Sequence, residues 1–65
     1  MLGKAIIDRR KSLGITQTQL ANLADVNINT IMKLERGNAN PTLQILVKIA
    51  DILGMELKLE VKRKQ

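Results

Sequence analysis

Glycine at positions 14, 37 and 54 divides this chain into short stretches, and this division limits the folds open to it more than any other feature of the sequence. Glycine is the residue that most often ends an α-helix, because it adopts the left-handed backbone conformation at little steric cost. The stretch before each glycine carries apolar residues at helical spacing. The sequence therefore predicts a mainly α fold built from short helices.

Polar residues that can cap a helix stand where these helices are expected to begin. Thr16 and Gln19 have the spacing of a capping box. Asn27 can cap the amide of Thr30, and Thr42 can cap the helix that follows it. These signals predict a first helix at 2–13, a second at 17–24, a third between Asn27 and the next glycine, and a fourth between Thr42 and the last.

The predicted core is aliphatic, because the chain has no aromatic residue. We expect the small side chain of Ala21 to let the second helix approach the third, with Val26 and Ile31 filling the angle between them. Apolar residues at helical spacing are predicted to face inward; they are Leu2, Ile6, Leu13, Leu20, Ala21, Leu23, Ile31, Leu34, Leu43, Leu46, Val47, Ala50 and Leu53.

Composition excludes several classes of function. The 65 residues include neither cysteine nor histidine, which excludes disulfides and the common zinc sites. We expect no enzyme and no cofactor, because Tyr is absent as well and Ser12 is the only serine. Single-stranded nucleic acid is disfavoured, since its bases stack on aromatic rings.

Charge favours an anionic partner. Eleven Lys and Arg against six Asp and Glu give a net charge of +5, which leaves duplex DNA open as a ligand. The sequence lacks both an apolar run of the roughly 18 residues that a membrane span requires and a signal-type segment. We therefore predict a cytoplasmic protein with no membrane partner.

After position 54 the apolar period changes from helical to alternating. Met55, Leu57, Leu59 and Val61 alternate with charged residues, which predicts a strand at 55–61 with one apolar face, followed by a basic tail at 62–65. A lone strand in a helical chain needs a partner for its backbone groups. The simplest partner is a second copy, with these four residues at the interface of a two-fold homodimer. The alternative is an extended tail packed on its own domain.

Five stretches of sequence occur in a characteristic order: Arg10-Lys-Ser-Leu-Gly-Ile-Thr-Gln-Thr-Gln-Leu-Ala, Val26, Thr30-Ile31, Leu34-Glu35-Arg36-Gly37 and Asn40-Pro41-Thr42-Leu43. In this order and spacing they closely resemble the XRE (lambda-repressor-like) helix-turn-helix family. The resemblance implies a four-helix DNA-binding domain at 1–54 with its helix-turn-helix at about 16–35. Asp25 departs from the family, which commonly has glycine with positive φ there, although Asp tolerates that conformation better than most residues.

The resemblance implies a sequence-specific repressor with its third helix in the major groove of an inverted-repeat operator. The expected base-contacting residues are Asn27, Ile28, Asn29, Met32 and Lys33. The expected phosphate contacts are Arg10, Thr16, Gln17, Arg36, Asn38 and Asn40. Arg10 and Glu35 match positions that often form a structural salt bridge in relatives. For each base-contacting residue, a solvated or phosphate-contacting position is the alternative.

The ending Gly-Met-Glu-Leu-Lys-Leu-Glu-Val resembles the C-terminal strand of HipB-like antitoxins, a branch of the XRE family. That resemblance implies autorepression and a kinase-type toxin as a protein partner. A phage or plasmid repressor without a toxin is one alternative. A protein-interaction module that uses the same fold without binding DNA is another.

Overall fold

The computed structural model of the protein describes residues 2–58. This part of the chain forms four α-helices, α1 (Leu2–Ser12), α2 (Gln17–Ala24), α3 (Ile28–Arg36) and α4 (Leu43–Leu53). The predicted mainly helical, four-helix architecture is confirmed, and α1 ends one residue before the predicted end. None of these helices has the length and apolar character needed to cross a membrane.

The helix starts are held by the side chains that cap them. Thr16 Oγ1 accepts a hydrogen bond from the Gln19 amide at 3.0 Å, and Gln19 Oε1 accepts one from the Thr16 amide at 2.8 Å, which completes the capping box. Thr42 Oγ1 accepts from the Ile45 amide at 3.2 Å at the start of α4. One amide in the first turn of each of these helices therefore has a side-chain acceptor.

Asn27 caps α3, but through a different amide from the one expected. Its Oδ1 accepts from the amide of Asn29 at 2.8 Å. The Thr30 amide instead donates to the backbone carbonyl of Asn27 at 2.9 Å. Because the main chain already satisfies the Thr30 amide, the short Asn side chain bonds the amide one residue earlier.

Asp25 ends α2 in the left-handed conformation, with φ of 56° and ψ of 49°. Its amide donates to the Asn22 carbonyl at 3.2 Å, and the Val26 amide donates to the Ala21 carbonyl at 2.9 Å. These two bonds close the last turn of the helix and reverse the chain toward α3. The expected positive φ at this departure from the family pattern is therefore present.

The core lies where all four helices meet. Leu20 and Ile31 have no solvent exposure, and Ile49 and Leu53 are about as deeply buried. Ala21 is buried on α2, and Val26 is half-buried against the same cluster. The tight turn of the second and third helices therefore rests on small and branched aliphatic side chains.

Several predicted core positions are wrong. Leu43 is 65% exposed and Val47 is 42% exposed, whereas Ile49, which the predicted stripe omits, is buried. On α4 the polar residues Gln44, Lys48 and Asp51 share one side at 3.6 residues per turn. The buried residues lie opposite that side, whereas Leu43 and Val47 lie on its flank. The remaining exposed members of the predicted stripe lie on the outer sides or at the ends of α1 and α2; they are Leu2, Leu13 and Leu23.

Residues 55–58, which begin the predicted strand, are in neither helix nor strand. Met55 is half-buried against the core, and its amide donates to the Ala50 carbonyl at 2.8 Å. Leu57 is 42% exposed. Leu59 and Val61 lie outside the described residues, so the strand and its pairing across a dimer stay a prediction.

Candidate nucleic-acid interface

One side of α3 is anchored in the core and the opposite side is open. Ile31 and Leu34 are buried. At 3.6 residues per turn, the opposite arc of the helix carries Asn29, Met32, Lys33 and Arg36, with Ile28 at its edge; all are exposed except the half-buried Met32. The structure therefore places four of the five predicted base-contacting residues together on this arc, which we call the outward arc of α3.

The fifth predicted residue, Asn27, stands at the entrance of the helix. Its side-chain oxygen is occupied by the Asn29 amide, so only its side-chain NH₂ group is left to donate to a ligand. Asn29 itself is exposed, with its side chain outside the cap. Asn27 therefore caps the start of α3, whereas the side chain of Asn29 is exposed to solvent.

The outward arc is cationic because the one carboxylate of α3 is turned inward. The Glu35 side chain is 5% exposed and accepts from Arg10 Nε at 2.7 Å and from Arg10 Nη2 at 3.1 Å. This bidentate pair joins the C-terminal end of α3 to α1. Lys33 and Arg36 form no ion pair within residues 2–58, so their charges face solvent.

Arg10 is fully engaged inside the domain. Besides its two bonds to Glu35, its Nη1 donates to the Ile15 carbonyl at 2.9 Å, and its side chain is only 11% exposed. The Glu35 carboxylate raises the pKa of the Arg10 guanidinium above its ordinary value, although burial opposes this. Arg10 thus acts as a brace between α1 and α3.

Gln17 is directed inward rather than toward a ligand. Its Nε2 donates to Glu35 Oε1 at 3.0 Å, and the residue is half-buried. Gln17 is the first residue of α2, so this bond ties the start of α2 to α3. The sequence offered no signal for this bond, because its partners are 18 positions apart.

The other predicted phosphate contacts are all exposed. Arg36 lies on the outward arc, Asn38 and Asn40 lie in the loop after α3, and Thr16 lies at the start of α2. Lys33, Asn38 and Asn40 line one groove of about 340 Å³ between α3 and the loop that leads to α4. Ile7, Gln17, Met32 and Arg36 line a second, of about 240 Å³, between α3 and the other two N-terminal helices. Both grooves flank α3, one on each side.

Two further contacts that hold the helices together are not evident in the sequence. A Cβ atom at Gly3 would lie 2.7 Å from the Leu34 carbonyl oxygen and 2.9 Å from that of Glu35, so α1 passes directly against the backbone of α3. Arg9 Nε donates to the Leu53 carbonyl at 2.7 Å and satisfies an orphan acceptor at the end of α4. Both contacts join residues far apart in sequence.

A protein-family model and several known proteins match most of this chain. A helix-turn-helix family model matches residues 6–59. An uncharacterized HTH-type transcriptional regulator of Haemophilus influenzae is 39% identical over 56 residues, which are 86% of this chain and 57% of that protein. A second such regulator, of Methanothermobacter thermautotrophicus, is 43% identical over 51 residues, or 78% of this chain and 74% of that one.

A named repressor is also similar. The cryptic phage CTXphi transcriptional repressor RstR of Vibrio cholerae is 35% identical over 52 residues, which are 80% of this chain and 46% of that protein. These relatives are transcription regulators, a class without enzymatic activity, and the chain spans about half to three quarters of their length. The family model covers most of α1, all of α2, α3 and α4 and the outward arc, and the chain belongs to the helix-turn-helix family of DNA-binding transcription regulators.

Proposed function

We propose that this protein is a sequence-specific transcriptional repressor that binds an inverted repeat in duplex DNA as a homodimer. The observation that carries the proposal is the outward arc of α3, which combines side chains able to contact bases with two cations that form no ion pair within residues 2–58. An α-helix of this kind fits the major groove of B-DNA. The similarity to a phage repressor supports repression rather than activation of transcription.

Each residue of the arc has a chemistry that suits a base edge. The Lys33 ammonium can donate to guanine O6 and N7, and the Asn29 amide can pair with adenine N6 and N7. Ile28, which is 37% exposed, can pack on a thymine methyl group. Met32 and the free NH₂ of Asn27 complete the proposed base-contacting set.

Phosphate contacts position the protein and carry no sequence information. We assign this role to Arg36, Asn38, Asn40 and Thr16, which are exposed beside the arc. The backbone amides at the start of α2 can add a further contact. Arg10 and Gln17 are left out of the set, because their side chains bond inside the domain.

Two copies are proposed because a single small domain contacts only a few base pairs. We take residues 1–54 as the DNA-binding domain and residues 55–61 as the dimerisation segment. Exposed Leu57 and half-buried Met55 support an interface at this end of the molecule. Autorepression and a kinase-type toxin partner stay predictions from the resemblance of the C-terminal sequence.

Selection of binding sites from a randomised duplex library at physiological salt tests the proposal. We expect enriched sequences with two-fold symmetry and half-sites about one helical turn apart. The same selection with Asn29→Ala should lose preference at one base pair in each half-site. Enrichment no higher than in a selection without protein would contradict the proposal and favour an interaction module.

A further inference from the structure

An apolar groove with an acidic rim lies beside the end of α4, away from the outward arc. Its volume is about 230 Å³, and it is lined by Val47, Ala50, Asp51, Met55, Glu56 and Leu57. Val47 and Leu57 are each 42% exposed, and neither acidic residue forms an ion pair within residues 2–58. In a chain of net charge +5, this groove suits an aliphatic, basic polypeptide rather than DNA.

The chain's own C-terminal sequence has this chemistry. Residues 59–65 contain the aliphatic Leu59 and Val61 followed by the cations Lys62, Arg63 and Lys64. A return into the groove of the same copy would require a reversal, but this segment has no Gly, Pro, Asn, Asp or Ser to form a turn. Met55 and the residues after it already line that groove. A second copy is therefore the better source of the segment.

The charged residues determine which register the C-terminal segments of two copies can adopt when they pair antiparallel about a two-fold axis. Opposite charges placed directly across antiparallel strands are stabilising, and like charges are destabilising. An axis at residue 58 places Lys58 opposite itself and Glu56 opposite Glu60. An axis at residue 60 places Glu60 opposite itself and Lys58 opposite Lys62. An axis at Leu59 instead places Glu56 opposite Lys62 and Lys58 opposite Glu60.

An axis at Val61 places Lys58 opposite Lys64, and an axis at Leu57 is then the remaining arrangement that keeps all apolar residues on one face. It also avoids like charges, but it forms only the Glu56–Lys58 pair, twice by symmetry. The axis at Leu59 forms four ion pairs by symmetry and leaves Leu57 opposite Val61 on the apolar face. Because both strands alternate with a period of two, a shift by one residue would place apolar residues opposite charged ones.

We propose that two copies of this chain pair antiparallel about Leu59, so that Lys62 of the partner subunit lies across from Glu56 and closes the acidic rim. The partner's Arg63 then lies across from Met55, beside Asp51. This inference rests on the homodimer proposed above and specifies its register. Pairing at this end of α4 leaves the outward arc of each copy open.

Complementary charge reversals test the register. At low ionic strength we expect Glu56→Lys to raise the homodimer dissociation constant about tenfold, because two facing ion pairs become like-charged. Lys62→Glu alone should do the same. When the two variants are mixed, one of them labelled with ¹⁵N, native mass spectrometry should show heterodimer well above the statistical half. Thermal unfolding followed by circular dichroism checks that each variant is folded.

A second mixture of variants distinguishes the register centred on Leu59 from the register centred on Leu57. Glu56→Lys mixed with Lys58→Glu should show no preference for the heterodimer, whereas an axis at Leu57 would favour it. Statistical mixing of Glu56→Lys with Lys62→Glu, or homodimers as tight as those of the wild type, would overturn the proposed register. The unsubstituted chain is measured first by sedimentation equilibrium, and a monomer there would overturn the homodimer itself.

Discussion

Gln17 at the start of α2 donates a hydrogen bond to Glu35 on α3, with 3.0 Å between Nε2 and Oε1. The same carboxylate accepts two hydrogen bonds from Arg10 of α1. One nearly buried group thus joins three helices directly behind the outward arc. Breaking a buried pair leaves a charge without a partner, so this arrangement stabilises one orientation of α3 over others.

Gln17→Ala should act on stability more than on DNA contacts. Loss of a hydrogen bond to a charged group should lower the free energy of unfolding by about 1.5 to 3 kcal/mol. Urea denaturation measures this loss, and exposed Thr18→Ala on the same turn is the control. Unchanged stability with equally weakened binding to operator and random duplex would show that Gln17 contacts phosphate instead.

Gly3→Ala should destabilise the fold although alanine is the better helix former. The added Cβ would lie within 3 Å of two backbone oxygens of α3, and neither can move without shifting the helix. We expect the free energy of unfolding to fall by about 1 to 3 kcal/mol, as for overpacked cores. Lys4→Ala, at the next and exposed position, should change it by less than about 0.5 kcal/mol. A Gly3→Ala protein as stable as the wild type would contradict the close approach of α1 to α3.

Asp25 can be tested with two substitutions that remove the same charge. Asp25→Gly should retain or increase stability, because glycine adopts the observed φ of 56° without strain. Asp25→Ala should be less stable than Asp25→Gly by about 1 kcal/mol, the cost of the left-handed conformation for an ordinary residue. Thermal or urea unfolding of the two variants compares them directly. Equal stabilities would mean that α2 ends differently in solution.

Lys33→Ala tests base contact from the outward arc. We expect binding to the selected operator to weaken by about 1 to 3 kcal/mol relative to random duplex, with relaxed preference at one base pair. Lys48→Ala removes the same charge from an exposed position on α4 and should leave this ratio unchanged. Fluorescence anisotropy at fixed salt measures both DNAs. If Lys33→Ala weakens binding to the operator and to random duplex equally, Lys33 contacts a phosphate rather than a base.

Local signals in the sequence were sufficient to predict the four helices. The Thr16–Gln19 capping box and the glycine stops each depend on atoms only a few residues apart, so local geometry determines them. The positive φ at Asp25 follows from the resemblance to the helix-turn-helix family. The side of α3 that carries Ile31 and Leu34 was also predictable, because a clear helical period separates it from the polar side.

Only the tertiary structure decided which surfaces meet. Aliphatic residues cover more of the circumference of α4 than its neighbours bury, so packing decided that Leu43 on the flank stays exposed. Likewise, packing directed Gln17 to Glu35 and brought Arg9 to the end of α4, across 18 and 44 positions of sequence. Capping depends on short-range backbone geometry, whereas burial and long-range hydrogen bonds depend on how complete helices fit together. The sequence by itself therefore determined where each helix begins and ends, and the packed fold decided what each side chain contacts.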